Sequence, residues 1–318
     1  MNSWVWKLID YLFLLRPTIL LPVWAFLLIG FHRATISGLS DLRPIWNLSP
    51  PLVWGLWVYS LLLGAIYVVN QIYDVETDRQ NRKLFLLSEG YISLRSAWIY
   101  TAVLLLVSYA SLRLVFPHHG ILRMLWLFSL ALGLLYNIPP LKFKGRPGLD
   151  LFSNALGYGG LNVLFGMFLR DSPPLGTALL QTLPYVFAVG AVFLLTTIPD
   201  IPGDRLAGDR TTGVVLGEHR TATLALIWLF LAFGFALLLS DPLVFFPSLL
   251  SLPLYFHTVR VPTAENAKFA YRLSAGLFAL ILAWKIPFYF VLGLLTFLAL
   301  KLYYRWRFHL DYPSLRGR

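Results

Sequence analysis

Eight of the 15 carboxylates in this 318-residue chain fall in two short segments, and their spacing is that of a cation site. The first segment reads Asn70-Gln71-Ile72-Tyr73-Asp74-Val75-Glu76-Thr77-Asp78 and continues to Glu89; the second reads Asp200-Ile201-Pro202-Gly203-Asp204 and continues through Asp209 to Glu218. Each contains Asp-x-x-x-Asp, and the offset is constant, 126 residues from Asp74 to Asp200 and from Asp78 to Asp204. A spacing of four puts both carboxylates of a pair on one helical face. Unscreened, such a like-charge pair opposes the helix by about 0.2–0.5 kcal/mol, and at a helix C-terminus the macrodipole disfavours it further. Those costs, incurred twice in parallel, call for a cation. Hard oxygen donors with no His or Cys beside them suit Mg²⁺, which binds through one or two carboxylates plus substrate phosphates. Two converging pairs would hold two Mg²⁺, or Mn²⁺ in their place, around a diphosphate. Either pair alone would read as solvated loop charge; two at matched positions, flanked by arginines, do not.

The bases suit the same ligand. Arg79, Arg82 and Lys83 follow the first pair, Arg205 and Arg210 follow the second, and Lys142 and Lys144 lie between them. Guanidinium groups bind phosphate bidentately, although each of these cations also serves as a topology determinant. Asn70 sits one turn before Asp74 and can complete the first shell as a neutral ligand.

The elements that position these groups must be membrane helices. The chain is 58% hydrophobic and 13% charged, with mean hydropathy +0.69, whereas a soluble domain carries about a quarter charged residues. That much apolar surface needs lipid as solvent. A span takes about 20 apolar residues, and such stretches occur near 11–31, 51–69, 96–116, 120–137, 149–169, 178–198, 221–240, 243–258 and 269–284. A further one at 286–304 follows Lys285-Ile286-Pro287. The fold class expected is an all-α polytopic transmembrane bundle of nine helices, or ten if 286–304 spans, forming a single domain over 1–318. With the N-terminus inside, one face collects 15 of the 26 Lys and Arg and the alternate loops only six. The N-terminus is therefore expected in the cytoplasm, the protein in the cell (inner) membrane, and both acidic segments at the cytoplasmic face, since both end even-numbered spans. The five basic residues of the tail favour ten. The net charge of +11 reads as topology and contact with anionic lipid; no basic run or reading motif points to nucleic acid, and nothing implies an obligate protein partner. The absence of Cys excludes thiolate metal sites and cysteine nucleophiles. Asp241 and Asp311 lie outside both clusters and are expected to be dispensable for turnover.

With these residues in place, the sequence resembles the UbiA superfamily of intramembrane prenyltransferases, which carries an acidic motif after its second helix and Asp-x-x-x-Asp after its sixth. The likeness includes Asn70, Gln71, Asp74 and Asp78 with Arg79, Asn81 and Arg82; Asp200, Gly203, Asp204, Arg205, Gly208 and Thr211; and Tyr136-Asn137-Ile138-Pro139-Pro140-Leu141-Lys142. Arg16-Pro17 is similar to the Arg-Pro that opens the family's first helix. Gln71 stands where many members have Asp.

The resemblance implies Mg²⁺-dependent transfer of a prenyl chain from an allylic polyprenyl diphosphate to a lipophilic acceptor. Asp74, Asp78, Asp200 and Asp204 would bind the metals and be the catalytic set. Arg16, Asn70, Arg79, Arg82, Tyr136, Lys142 and Arg205 would hold the diphosphate and prenyl group. Tyr67, Tyr73 and Tyr136 are candidates for stabilising an allyl cation through their aromatic faces. The acceptor is left open between an aromatic quinone precursor and a carotenoid or other isoprenoid lipid. The alternative from another class is a cation-coupled transporter. It would place ionisable residues near the membrane midplane, whereas helices 2 and 6 are polar at their ends.

Overall fold

The computed structural model describes residues 3–80 and 85–312. In chain order the α-helices are α1 Ser3–Leu14, α2 Pro17–His32, α3 Pro50–Tyr73, α4 Val75–Gln80, α5 Phe85–Ser88, α6 Leu94–Val115, α7 Gly120–Asn137, α8 Leu149–Asn154, α9 Val163–Arg170, α10 Leu175–Thr197, α11 Ile201–Leu206, α12 Thr212–Leu238, α13 Pro242–Arg260, α14 Ala264–Lys285 and α15 Pro287–Phe308. No strand occurs among the described residues. Nine helices there are long and apolar enough to cross a membrane. The protein is all-α and polytopic, as its composition requires.

Two spans differ from the sequence expectation, each for a local reason. The first begins at Pro17, because Arg16 adopts a left-handed backbone (φ 56°) and so separates α1 from α2; the residue before a proline is disfavoured in the α region. The stretch 149–170 is helical throughout, but its middle eight residues, Ala155–Asn162, form a π-helix between α8 and α9, so it is absent from the nine unbroken spans. Gly159 permits a close approach there: a Cβ would sit 2.5 Å from the carbonyl oxygen of Tyr185 on α10. The open segment at 286–304 does form a membrane-length helix, α15.

The chain divides into two compact units, residues 1–24, 53–119 and 288–318 in one, and 25–52 and 120–287 in the other. In the first, Leu14, Leu61, Ala65, Val68, Leu86, Ile92, Ala97 and Leu104 form the core. In the second, α10 packs on α12, α14 and the π-helical stretch, and Ala191, Leu194, Leu195, Ala222, Ala225, Tyr255 and Ala270 meet in its core. Small residues at such contacts let helix backbones approach closely, which is how helices gain packing energy in lipid.

The second unit also contains buried ion pairs. The Arg33 guanidinium lies 3.2 Å from Asp241 and donates to the Leu239 carbonyl at 2.8 Å. Asp241 is fully buried, accepts from the Tyr185 hydroxyl, and caps α13 by accepting from Leu243 N–H at 3.0 Å. The residue expected to be dispensable is thus the centre of a buried polar knot. Similarly, Lys285 is 1% exposed and donates to the Asp41 carboxylate at 3.1 Å and carbonyl at 2.7 Å. The Ser37 backbone N–H, then the Lys285 ammonium, hold the Asp41 carboxyl well below the usual carboxylate range. A depressed folded-state pKa means its contribution is complete above the unfolded value near ~3.9 and is lost only as pH falls toward the folded one.

Candidate functional site

Spacing made the first acidic segment helical, and it is. Asp74 N–H donates to the Asn70 carbonyl at 3.0 Å and Asp78 N–H to the Asp74 carbonyl at 2.7 Å, so Asn70, Asp74 and Asp78 occupy successive turns of one run from α3 into α4. The Asn70 amide is used at both ends: its N–H donates to Asp74 Oδ2 at 2.9 Å, and its oxygen accepts from Arg16 Nη1 at 3.1 Å. Asn70 therefore bridges a cation to the first carboxylate. Gln71 is 2% exposed and donates to the Leu14 carbonyl at 2.8 Å and the Tyr67 carbonyl at 3.0 Å. An ionised aspartate at that position has no hydrogen to donate, which explains the amide. Arg79 reaches Glu76 at 3.2 Å and the Ser88 carbonyl at 3.1 Å. Arg82 and Lys83 lie outside the described residues. Of the candidate tyrosines, Tyr67 is buried and Tyr73 is exposed with its ring edge-on to Trp98.

The second segment starts where α10 passes through a 3₁₀ turn, Ile198–Asp200, into α11. Pro202 sits in the first turn of α11, where a missing N–H costs nothing. Asp204 is half-buried and accepts from the Thr211 hydroxyl at 3.0 Å. Thr211 also caps α12 by accepting from Val214 N–H at 3.4 Å. Beyond it α12 turns at Gly217 (φ 73°), a conformation only glycine adopts freely.

Asp150, quoted in no site role from the sequence, organises this region. It is 1% exposed and accepts from Thr212 N–H at 2.7 Å and from the Thr212 hydroxyl. The same hydroxyl accepts from Gly148 N–H at 2.8 Å. Arg210 N–H reaches the Gly145 carbonyl at 3.3 Å, and Lys142 Nζ lies 3.4 Å from Asp209 Oδ1. The segment after α7 is thereby fastened to the segment after α11, and Thr211 is aimed at Asp204 by its neighbour's bonds. The signal in the sequence was faint: an acid in the first turn of a helix that opens after Gly148. Lys142 sits in a left-handed conformation (φ 34°), the Tyr136 hydroxyl accepts from Asn154 at 3.1 Å, and Arg205 is exposed.

Among the described residues, no three His, Cys, Asp or Glu side chains come close enough to hold a metal by themselves. Mg²⁺ usually takes one or two carboxylates and draws other oxygens from water and substrate phosphate. The donors offered by each segment are oxygen alone: Asp74, Asp78 and the Asn70 amide in one, Asp200, Asp204 and the Thr211 hydroxyl in the other.

An all-helical membrane chain with Asp-x-x-x-Asp after its second span and, once the π-interrupted stretch 149–170 is counted, after its sixth defines a class, and comparison with known proteins gives that class its name. The sequence profile of the UbiA prenyltransferase family matches residues 23–268, and the chain belongs to that family. It is similar to a lycopene elongase/hydratase of Halobacterium salinarum, 32% identical over 236 residues that make up 71% of this chain and 79% of the relative. It is also similar to a lycopene elongase/hydratase of Haloarcula japonica, 34% identical over 200 residues, 59% of this chain and 63% of the relative. Across five curated relatives, that one among them, the chain spans 44–63% of the relative's length. A solved UbiA homologue from Archaeoglobus fulgidus, bound to GPP and Mg²⁺, shares the fold with a TM-score of 0.63 at 22% identity, covering 89% of this chain and 99% of that one.

Proposed function

We propose that the protein transfers a prenyl chain from an allylic polyprenyl diphosphate to a lipophilic acceptor, releasing diphosphate, with the whole chain 1–318 acting as one catalytic domain. The observation that carries this reading is the pair of Asp-x-x-x-Asp segments, each with a carboxylate already oriented by a neighbour: Asn70 on Asp74 and Thr211 on Asp204. Two Mg²⁺, when bound, neutralise the diphosphate and make it a competent leaving group. The chain's own part is positional. Asp74, Asp78, Asp200 and Asp204 present the oxygen donors. Arg16, Arg79, Arg82, Lys142 and Arg205 would supply positive charge to the diphosphate, the guanidinium groups through paired N–H donors. Lys142 is held by Asp209, and Asn70 by Arg16. The faces of Tyr67, Tyr73 and Tyr136 would favour the allyl cation formed as diphosphate leaves; a π-electron pair of the acceptor makes the new carbon–carbon bond, and the acceptor then loses a proton to the released diphosphate or to water. The acceptor is an isoprenoid lipid of the carotenoid kind or an aromatic quinone precursor; the first is favoured by the named activity of two relatives, the lycopene elongases/hydratases at 34% and 32% identity.

Membranes containing the protein should convert radiolabelled geranylgeranyl diphosphate to a labelled lipid on addition of lycopene or, failing that, of a member of an aromatic-acid panel. Activity should vanish with EDTA and return with Mg²⁺ or Mn²⁺. Full turnover in metal-free buffer would remove the mechanism. The excess of Lys and Arg on one side also leads us to place the N-terminus and both acidic segments in the cytoplasm of a cell whose inner membrane holds the protein. Reporters fused after Asp209 or at Arg318 should then both behave as cytoplasmic; an external signal from the first would invert the topology.

A further inference from the structure

We infer that the last helix is a strut for the first acidic motif, acting through a buried cluster of Asp10, Tyr303 and Arg307; this rests on the reaction proposed above. Asp10 on α1 is 1% exposed. Its carboxylate accepts from the Tyr303 hydroxyl at 2.7 Å and from Arg307 at 3.3 Å through Nε and 3.2 Å through Nη2, and both donors stand on α15. Phe13 stacks on Tyr303 with ring centroids 3.7 Å apart. The Arg307 guanidinium also lies over the rings of Trp6 and Tyr91, at 5.8 and 5.2 Å. Tyr91 stands in the turn that precedes α6. One guanidinium therefore joins α1, α15 and the turn before α6.

The path from this cluster to the carboxylates is short. Leu14, one turn after Asp10, offers the carbonyl that accepts from Gln71. Two residues further, Arg16 donates to Asn70, and Asn70 donates to Asp74. A 12-residue helix such as α1 has little stability of its own, so its placement depends on what it packs against. The two residues that precede Asp74 by three and four positions are thus held by the last residue of α1 and by Arg16 just after it, one turn beyond the point where α15 pins α1 at Asp10. Neither α1 nor α15 lies within the stretch matched by the family profile, 23–268; the strut is built outside it. Asp10, Tyr303 and Arg307 are positioning residues. They set the geometry of Arg16, Gln71 and Asn70 and, through them, the affinity of the first motif for metal and diphosphate.

The test uses the purified full chain in lipid nanodiscs, reading both turnover and equilibrium binding of radiolabelled geranylgeranyl diphosphate as Mg²⁺ is titrated. Loss of a group that orients a metal ligand costs about 10–100-fold in metal affinity or activity. Asp10→Asn and Arg307→Gln should therefore raise the Mg²⁺ needed for half-maximal diphosphate binding by that factor. Arg307→Lys and Tyr303→Phe should shift it less, and Lys301→Ala on the same helix, which breaks its exposed pair with Asp311 beyond the helix end, not at all. Should Asp10→Asn or Arg307→Gln fail to fold, the two milder variants decide. Folded variants that melt at lower temperature with an unchanged Mg²⁺ requirement would overturn the inference, since that is what a purely structural clasp predicts. A wild-type protein that neither binds nor consumes the diphosphate would instead sink the proposed reaction.

Discussion

Single replacement of Asp74, Asp78, Asp200 or Asp204 by alanine should lower turnover by about 10³-fold or more while leaving folded protein in the membrane. The charge stabilisation at stake is several kcal/mol of barrier, and about 1.4 kcal/mol is already tenfold in rate. On the reaction proposed above the four should not differ much, because residues that act as a unit lose nearly the whole effect when any one is removed. Folding should suffer little. Asp74 and Asp78 are only half-buried and Asp200 is exposed, and removing one of two like charges four residues apart relieves their repulsion. Asp204→Asn is the informative companion, since it preserves the bond from Thr211 but removes the charge. Asp311→Ala, at an exposed pair with Lys301, is the control and should keep near-normal activity. Substantial turnover in Asp74→Ala or Asp204→Ala would mean that the carboxylates are not the metal ligands, and a cation-coupled transporter would then be the better reading.

What the sequence disclosed about this protein follows from which interactions are local. Apolar runs of membrane length identified the helices because lipid forces every backbone group to bond within its own segment. The i,i+4 repeat of Asn70, Asp74 and Asp78 was legible for the same reason: it is a relation along one helix. The boundary at Arg16-Pro17 was less so, since a continuous apolar stretch hides a backbone turn. The π-helical stretch at Ala155–Asn162 left no periodic mark at all. Least visible were the polar contacts between distant segments. Asp150 with Thr212, Asp10 with Arg307 and Asp41 with Lys285 are separated by 62, 297 and 244 residues, and nothing in the spacing of one partner announces the other. Each of these acids stood alone in the sequence, and an isolated carboxylate in an apolar chain was given no role. The burial of all three argues for a different rule: in such a chain a solitary acid needs a cation or a set of donors, and its partner should be sought.

Asp241 shows what that rule is worth. Alanine there should destabilise the protein by about 3–5 kcal/mol, the usual cost of removing one member of a buried ion pair, although the residue lies outside both acidic motifs. The loss has three parts. Arg33, 7% exposed at its side chain, keeps its charge and retains only the Leu239 carbonyl at 2.8 Å. The Tyr185 hydroxyl, on a fully buried ring, loses its acceptor. The first turn of α13 loses its cap at Leu243. Asp241→Asn should cost less, because its amide oxygen can still accept from Tyr185 or Leu243 and only the charge is gone. Arg33→Met combined with Asp241→Leu should recover part of the stability, because a buried pair replaced whole by apolar side chains leaves no uncompensated charge. Thermal melting in detergent or nanodiscs measures all three, and Asp241→Ala protein melting with the wild type would contradict the account. The protein that does fold should turn over at close to the wild-type rate per molecule. A residue that anchors α13 without touching diphosphate affects how many enzymes there are, not how fast each one works.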